Sequence, residues 1–235
     1  MSNELIFILE LAADFALCLL VYKWLRREGL VLLIVLHIIM CNLQVVKQVT
    51  LFGLPATLGN IAYVVTFWCT DLISEKYGKR HAKRAVLISF VAMVAFTAMM
   101  RFVPLYAPGE SDVFNGALTQ LFTFVPRITI ASLTAFLISQ LYDVWMFNYI
   151  RKLTQARHLW LRYIASTLLA QAVDSTVFCT VAFLYVFPWP VLAGIFLSTW
   201  LIKIGVGLLE TPFIYLATQW RWLNPPQLHE AREAD

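Results

Sequence analysis

The stretch TDLISEKYGKRHAKR, from Thr70 to Arg84, decides the fold of this chain, because an apolar segment ends in it and a run of positive charge begins. Asp71 and Glu75 stand one helical turn apart, just before five Lys and Arg residues between positions 76 and 84. Lys and Arg accumulate at the cytoplasmic ends of membrane helices. The stretch is therefore typical of a membrane helix that enters the cytoplasm. The presence of two acids at the end of such a helix requires a structural or functional explanation.

The composition indicates a membrane protein. Of the 235 residues, 60% are hydrophobic and only 14% are charged, whereas soluble domains average about 25% charged residues. The mean hydropathy is +0.74, and apolar runs near the length that a bilayer requires, about 20 residues, recur along the chain. We therefore predict an all-α polytopic protein in a lipid bilayer, built as a bundle of six to seven transmembrane helices.

Seven apolar segments, separated by charged or turn-forming connections, suggest seven transmembrane spans. The connection FGLPA (residues 52–56) separates the second span from the third and is short and uncharged, as is PWP (188–190) between the last two. One longer connection, residues 104–120, carries acids and no Lys or Arg. The predicted spans are approximately 5–25, 30–51, 56–76, 83–104, 121–149, 162–187 and 190–218.

The positive residues set the predicted orientation. Fourteen of the 18 Lys and Arg residues follow the first, third and fifth spans or lie in the C-terminal tail. By the preference of positive charge for the cytoplasmic side, we predict that the N-terminus is outside and the C-terminus inside. Because the net charge of +4 arises from this topology, we expect no nucleic-acid partner.

The sequence lacks the patterns of a metal, cofactor or catalytic site. The four cysteines lie inside apolar spans with no CxxC spacing, which favours small buried residues over ligands or disulfides. HExxH, GxSxG and glycine-rich phosphate-binding patterns are missing. We therefore predict no metal, no cofactor and no enzymatic activity. A membrane enzyme acting on a lipid-embedded substrate is the less favoured hypothesis.

Two helix ends resemble each other. Asp71 is followed by Tyr77, Lys79 and Arg80, and Asp143 is followed at the same offsets by Tyr149, Arg151 and Lys152. Internal repeats of this kind are common in transporters. Alternatively, any helix that enters the cytoplasm tends to end in Tyr and Lys or Arg, so the match can also reflect topology alone.

Polar side chains within the spans indicate an internal cavity. An ionisable group at mid-membrane costs roughly 2.5–3.5 kcal/mol on insertion scales, so it usually faces the protein interior. Helical spacing places the polar side chains of each span along one face of its helix. Where these faces meet, they would line a polar cavity beside the aromatic rings of Phe67, Trp68 and Phe178. The polar set comprises Asn42, Gln44, Gln171, Asp174 and Lys203 near the middle, Lys47, Gln48, Asn60 and Arg127 nearer the outside, and Asp71, Glu75, Asp143 and Glu210 nearer the cytoplasm.

Each of these polar groups also has a purely structural interpretation, which the sequence leaves open. Glu75 can pair with Lys79 near the headgroups, and Asp174 can form a buried structural ion pair with Lys203. Asn42 and Gln171 can hold helices together through hydrogen bonds. Asp143 can lie at the membrane interface, and Arg127 can snorkel outward.

One motif connects these residues to a known family. GNIAYVVTFWCTDLISEKYGKRHAKRAV (Gly59–Val86) resembles the signature of the queuosine precursor transporters, once labelled a vitamin-uptake family. AQAVDSTVF (Ala170–Phe178) and the later Lys203, Glu210, Pro212 and Tyr215 look like its second half, and the match runs from about Val31 to Tyr215. Positions that match the family pattern are Asn60, Asp71, Glu75, Tyr77, Gly78, Gln171, Asp174 and Lys203.

The resemblance implies a fold and a function. The family is a set of small bacterial inner-membrane proteins, similar in architecture to vitamin-binding S-components, that import 7-cyano-7-deazaguanine or 7-aminomethyl-7-deazaguanine for tRNA modification. Its core usually has six helices, so either the first predicted span is an extra element or one of the seven spans is wrongly divided. On the first interpretation, residues 1–235 form one transmembrane domain, with 1–28 as an extra N-terminal helix, 29–218 as the transporter core and 219–235 as a cytoplasmic tail.

The resemblance also suggests roles. The expected partner is a small deazapurine, whose N1–H and 2-amino edge a carboxylate of Asp174 or Glu75 can accept. Lys203 would balance the charge of the acid. Gating or charge-balance roles fall to Lys47, Arg127, Asp143 and Glu210, and the predicted substrate-binding residues are Asn42, Gln44, Asn60, Phe67, Trp68, Asp71, Glu75, Gln171, Asp174, Phe178 and Lys203.

The main competing hypothesis is a vitamin-binding S-component that requires an ATP-driven module. The sequence leaves open whether the unit is a monomer or a homodimer, and which deazaguanine is carried.

Overall fold

The computed structural model describes residues 2–45, 47–122, 126–183 and 188–219, and within them the chain forms seven α-helices and one β-hairpin. A short 3-10 helix, Val103–Leu105, follows the third α-helix. The elements in chain order are α1 (Asn3–Gln44), β1 (Gln48–Leu51), β2 (Leu54–Thr57), α2 (Gly59–Lys76), α3 (Lys79–Met100), α4 (Asn115–Phe122), α5 (Pro126–Leu153), α6 (Leu159–Phe183) and α7 (Trp189–Gln219).

Four helices among the described residues are long and apolar enough to cross a membrane. They are α1, α3 with its 3-10 extension, α5 from Ile130, and α6 as far as Val181. Large apolar side chains on their outer faces are exposed, as lipid contact requires. The prediction of an all-α polytopic membrane protein is confirmed.

Helix α1 is a helical hairpin rather than a rod. Arg26 has φ 52° and ψ −128°, which reverses the chain. In a straight helix Asp14 and His37 would be about 35 Å apart, yet His37 Nε2 lies 2.9 Å from Asp14 Oδ1. The first two predicted spans are therefore the two antiparallel halves of α1, on either side of Arg26.

The prediction that the second span remains helical over Gln48–Leu51 was wrong. The second half of α1 ends at Gln44, and β1 pairs antiparallel with β2, with Leu51 opposite Leu54. The two residues between them, Phe52 and Gly53, have φ of 51° and 77°. Positive φ at both positions is the mark of a two-residue hairpin turn, which glycine permits at no steric cost.

Helix α2 is the centre of the bundle. Every residue from Gly59 to Ser74 is buried, and α2 contacts α1, α3, α5 and α7. A helix enclosed on all sides has no lipid face, so its polar side chains must face other helices. This placement explains why the chain keeps acids in the stretch on which the fold depends.

One connection differs from the prediction. The long connection after α3 contains α4, which was not predicted, and α5 begins at Pro126 rather than 121; residues 123–125 lie outside the described part. The connection between α2 and α3 turns at Gly78, whose φ of 89° favours glycine.

The positively charged helix ends meet at one end of the bundle. Arg27 Nη1 lies 3.3 Å from His81 Nδ1, Arg151 donates to the carbonyl of Ser74, and Lys76 Nζ donates at 2.8 Å to the carbonyl of Thr218. The N-terminus lies at the other end, where the Asn3 amide donates to the Thr50 carbonyl. Of the predicted tail, only Gln219 is described.

Candidate functional site

An ion pair between α6 and α7 forms the centre of the site. Lys203 Nζ lies 2.5 Å from Asp174 Oδ2. The other carboxylate oxygen, Oδ1, accepts hydrogen bonds from the Tyr63 hydroxyl and, at 3.2 Å, from the Ser139 hydroxyl. Asp174 is 3% exposed and Lys203 7% exposed. The carboxylate thus joins α2, α5, α6 and α7 at one buried point.

Aromatic rings cover the cation of this pair. Lys203 Nζ lies 4.4 Å from the centroid of the Tyr63 ring, within the range of a cation–π interaction. The Phe67 ring meets the Tyr63 ring edge to face, with centroids 5.5 Å apart. The Asp174 carboxylate therefore accepts hydrogen bonds, while the Lys203 ammonium lies over an aromatic ring.

Gln171 lies one turn from Asp174 on α6, fully buried. Among the described residues neither its amide oxygen nor its amide nitrogen has a hydrogen-bond partner. Gln171 and Lys203 line a cavity of about 10 Å³ together with Thr167 and Gly207. Such a space holds about one water molecule, so a larger solute requires α6 and α7 to move apart.

A hydrogen-bonded group between α2 and α5 continues from this centre toward the positive end. Thr70 donates to Gln140 Oε1 at 2.7 Å, and Gln140 Nε2 donates to Thr66 Oγ1 at 2.6 Å. All three side chains are fully buried. Both ends of the Gln140 amide are thereby satisfied, unlike those of Gln171.

Asp71 on α2 and Asp143 on α5 form the next level, and both are fully buried. The groups that interact with the Asp143 carboxyl are the Asp71 carboxyl and the Ser166 hydroxyl. Thr167, beside Ser166 on α6, donates to Asp71 Oδ2 at 3.4 Å. Two carboxyl groups therefore share one dehydrated compartment.

Glu75 lies one further turn along α2, toward the positively charged end of the bundle. Its carboxylate lies 2.7 Å from Arg162 of α6 and 3.9 Å from Arg151 of α5, so it pairs across helices. Arg162 is only 2% exposed. Glu75 and Arg162 also line a cavity of about 490 Å³ with Trp160 and Tyr215.

The remaining predicted residues occupy other positions. The Asn42 amide donates to the Ile38 carbonyl and accepts from Ser132, which matches its structural interpretation. Trp68 is fully buried against Phe15 of α1. Gln44 and Phe178 are half-buried, Asn60 is buried near the outer end of α2, and Lys47 is exposed. The side chains of Arg127 and Glu210 lie outside the described part.

A second buried polar cluster lies within the α1 hairpin. One ligand-type atom each of Asp14, Cys18 and His37 lies within 4.8 Å of the others. Both ring nitrogens of His37 are engaged, Nε2 with Asp14 and Nδ1 with the Leu33 carbonyl at 2.7 Å. The contact between His37 and Asp14 in this cluster joins the two halves of α1.

Sequence reasoning missed several members of the site. Tyr63 precedes Phe67 and Asp71 by four and eight residues, and Ser139 precedes Asp143 by four, so helical spacing could have found both. Arg162 was counted with the positive residues that follow the fifth span, because it stands where the sixth predicted span begins and its burial arises only when α6 packs against Glu75.

Comparisons with known proteins identify relatives. A family model described as "Putative vitamin uptake transporter" matches residues 57–217. A Bacillus subtilis protein, "Probable queuosine precursor transporter", is 41% identical over 92% of this chain and 95% of its own length. The Escherichia coli "Queuosine precursor transporter" is 30% identical over 67% of this chain and 70% of its own length.

No solved structure matches the chain. Because the family model and both relatives cover most of the helical bundle, and the matched residues 57–217 include Tyr63, Asp71, Asp143, Asp174 and Lys203, these buried residues lie within the shared region. The chain is thus a multi-pass membrane transporter rather than an enzyme, and it belongs to the queuosine precursor transporter family.

Proposed function

We propose that this protein imports a 7-deazaguanine precursor of queuosine across the bacterial inner membrane. The observation that carries the proposal is that the unpartnered amide of Gln171 and Lys203, the cation of the ion pair with Asp174, line one small cavity between α6 and α7 of the described bundle. The names of its relatives supply the solute class. The solute is 7-cyano-7-deazaguanine or 7-aminomethyl-7-deazaguanine.

The chemistry of the base matches these side chains. Its N1–H and 2-amino group form a double donor edge, which the Asp174 carboxylate accepts in bidentate fashion. Its O6 is an acceptor for Lys203 or for the Gln171 amide nitrogen. The flat ring stacks on an aromatic face, such as that of Tyr63 or Phe67. A solute with fewer donors would leave buried polar groups unpaired and would bind less well.

Binding requires the ion pair to rearrange. The cavity of about 10 Å³ beside Gln171 and Lys203 is too small for a bicyclic base, so α6 and α7 separate as the solute enters. The N1–H edge then replaces part of the contact between Lys203 and Asp174. The cavity of about 490 Å³ between Glu75, Arg162 and Trp160 is the release vestibule.

The orientation follows from charge. The basic ends of α2, α3, α5 and α6 gather with Gln219 of α7 at one end of the bundle, and the N-terminus lies at the other. By the positive-inside rule the N-terminus is outside and the C-terminus is cytoplasmic. The vestibule then opens toward the compartment in which tRNA is modified.

Ligand-dependent thermal stabilisation tests the proposal. The purified full-length protein is heated with 7-cyano-7-deazaguanine, 7-aminomethyl-7-deazaguanine, guanine and a panel of vitamins. A ligand at a hundredfold excess over its Kd stabilises by about 2.7 kcal/mol, so we expect a raised Tm with a deazaguanine. Asp174→Asn should lose this response, while Glu110→Gln, an exposed acid in the outer connection, keeps it.

Two outcomes would contradict the proposal. Stabilisation by a vitamin and by no deazaguanine would favour a vitamin-binding S-component, which co-purification with an ATPase and a coupling subunit would support. An unchanged deazaguanine response in Asp174→Asn would remove the proposed site even if the solute class were right.

A further inference from the structure

We propose that Asp71 and Asp143 form a proton-binding pair that couples solute import to the proton gradient. The inference rests on the proposed function and adds the driving ion. It concerns a site at the level below the ion pair of Asp174 and Lys203, toward the positively charged end.

The pair is dehydrated. Both side chains are 0% exposed. Among the described residues, neither oxygen of Asp143 has a partner in hydrogen-bond geometry, and the groups acting on it are a second carboxyl and a hydroxyl rather than a cation. Ser166 and Thr167 of α6 complete the compartment.

Two adjacent buried carboxyl groups cannot both be ionised at moderate cost. Burial disfavours the charged form, and a like charge nearby disfavours it further, so the two groups hold at least one proton between them. The proton forms an O–H bond on one Asp oxygen and can be shared with the other. When it leaves, that O–H bond breaks and the proton passes to water in the inner vestibule.

Among the described residues, charged groups lie at the levels above and below the pair. Toward the vestibule, Glu75 of α2 is one turn from Asp71 and is paired with Arg162 of α6 and Arg151 of α5. Toward mid-membrane the next charges are Asp174 and Lys203, which pair with each other. The side chain of Glu210 on α7 lies outside the described residues.

A polar track links the pair to the solute site. From Asp174 it passes through Tyr63 and Ser139. The hydrogen-bonded group of Thr66, Gln140 and Thr70 lies on the same two helices: Thr66 donates to the Tyr63 carbonyl at 2.6 Å, and Thr70 directly precedes Asp71 in the chain. Rearrangement at Asp174 can therefore be transmitted along α2 and α5 to the acid pair.

The similarity of the two helix ends points to the same pair of acids. Asp71 and Asp143 occupy matching places in the two similar helix ends, each six residues before a Tyr. In the fold these matching acids face each other across α2 and α5. Sites built at the interface of two repeats are a general feature of gradient-driven transporters.

Proteoliposomes containing the full-length chain test the coupling. With the outside more acidic, we expect wild-type protein to accumulate labelled 7-cyano-7-deazaguanine, by up to about tenfold for each pH unit at one proton per solute. Asp143→Asn should lose this accumulation, with an inside-to-outside ratio near one, while still exchanging labelled for unlabelled solute. Asp143→Glu should recover part of the accumulation, and Glu110→Gln should behave as wild type.

A second readout needs no solute. Infrared difference spectra of the protein between acid and alkaline pH should contain the carbonyl band of a protonated carboxyl group, and Asp143→Asn should lack it. Three results would each overturn the inference. They are solute accumulation by the wild-type protein that does not depend on the pH gradient, accumulation by Asp143→Asn at the wild-type level, and absence of the carboxyl band from the wild-type spectra. Absence of deazaguanine binding and exchange, with the band present, would instead refute the proposed solute.

Discussion

Lys203 of α7 and Asp174 of α6 form an ion pair whose two members are each more than nine-tenths buried. Within a bundle, removing one charge leaves the other without compensation, which typically costs about 3–5 kcal/mol. Removing both charges with side chains of similar volume costs much less. We therefore expect a larger coupling free energy between these two charges than between the charges of a surface ion pair.

We expect Asp174→Asn and Lys203→Met each to lower the Tm of the purified protein, and the double variant to be more stable than the sum of the single effects implies. A double-mutant cycle on thermal unfolding measures this coupling. Lys152→Met, an exposed lysine at the end of α5, serves as the control and should leave the Tm close to wild type. Additive single effects would show that the two charges do not interact.

Substitutions of Gln171 and Gln140 are expected to have different effects on the Tm. Both are fully buried glutamines, but the Gln171 amide has no described partner, whereas both ends of the Gln140 amide are hydrogen-bonded. An unsatisfied buried polar group costs about 1–3 kcal/mol. Gln171→Leu should therefore keep or raise the Tm and lose solute binding, while Gln140→Leu should lower the Tm. A fall in Tm for Gln171→Leu would mean that the amide has a structural partner.

The Glu75 ion pair predicts a defect at the inner mouth. Glu75→Gln leaves Arg162, 2% exposed, without its nearest carboxylate. Charged hydrogen bonds contribute about 1.5–3 kcal/mol, so uptake by cells should fall by about tenfold or more. Arg157→Gln, an exposed neighbour of Arg162, is the matched control. Uptake by Glu75→Gln at the wild-type rate and expression level would exclude the role of Glu75 in the solute path.

Gly59 sets how closely α2 approaches α1. A Cβ atom there would lie 2.7 Å from the Cys41 carbonyl oxygen, whereas one at Gly205 of α7 would meet nothing within 4 Å. Overpacking against backbone costs about 1–3 kcal/mol, so Gly59→Ala should lower the Tm. Gly205→Ala should hold or raise it, because alanine stabilises a helix interior by about 0.5–1 kcal/mol. Equal Tm values would show that the α1–α2 contact can relax.

The central site was partly predictable. Asp174, Lys203, Gln171, Asp71 and Glu75 could be identified because a polar group inside an apolar span is conspicuous in any chain. Helical spacing places Tyr63 and Ser139 on the same faces as those acids, but spacing alone does not show that they and Gln140 contact residues of other helices. Their roles depend on which helices are neighbours, and the order of spans along the chain does not specify that.

The hairpin at Gln48–Thr57 shows a different limit. Its first strand, Gln48–Leu51, directly follows the apolar second span and includes Val49 and Leu51, so the span was extended through it to residue 51. The structure ends the helix at Gln44, because Phe52 and Gly53 adopt positive φ and the flanking residues pair as strands. A short apolar run has no periodicity strong enough to distinguish helix from strand.

The amino-acid sequence by itself determined the membrane location, most of the helical spans, the positively charged end and the membership of a transporter family. These properties depend on composition, span length and local motifs, which each segment carries without its neighbours. Only the tertiary structure decided that Asp174 pairs with Lys203 and Tyr63, and that Asp71 faces Asp143. Those contacts join residues that are distant in the chain, and they exist because the enclosed α2 is packed against α5 and α7, with α6 alongside.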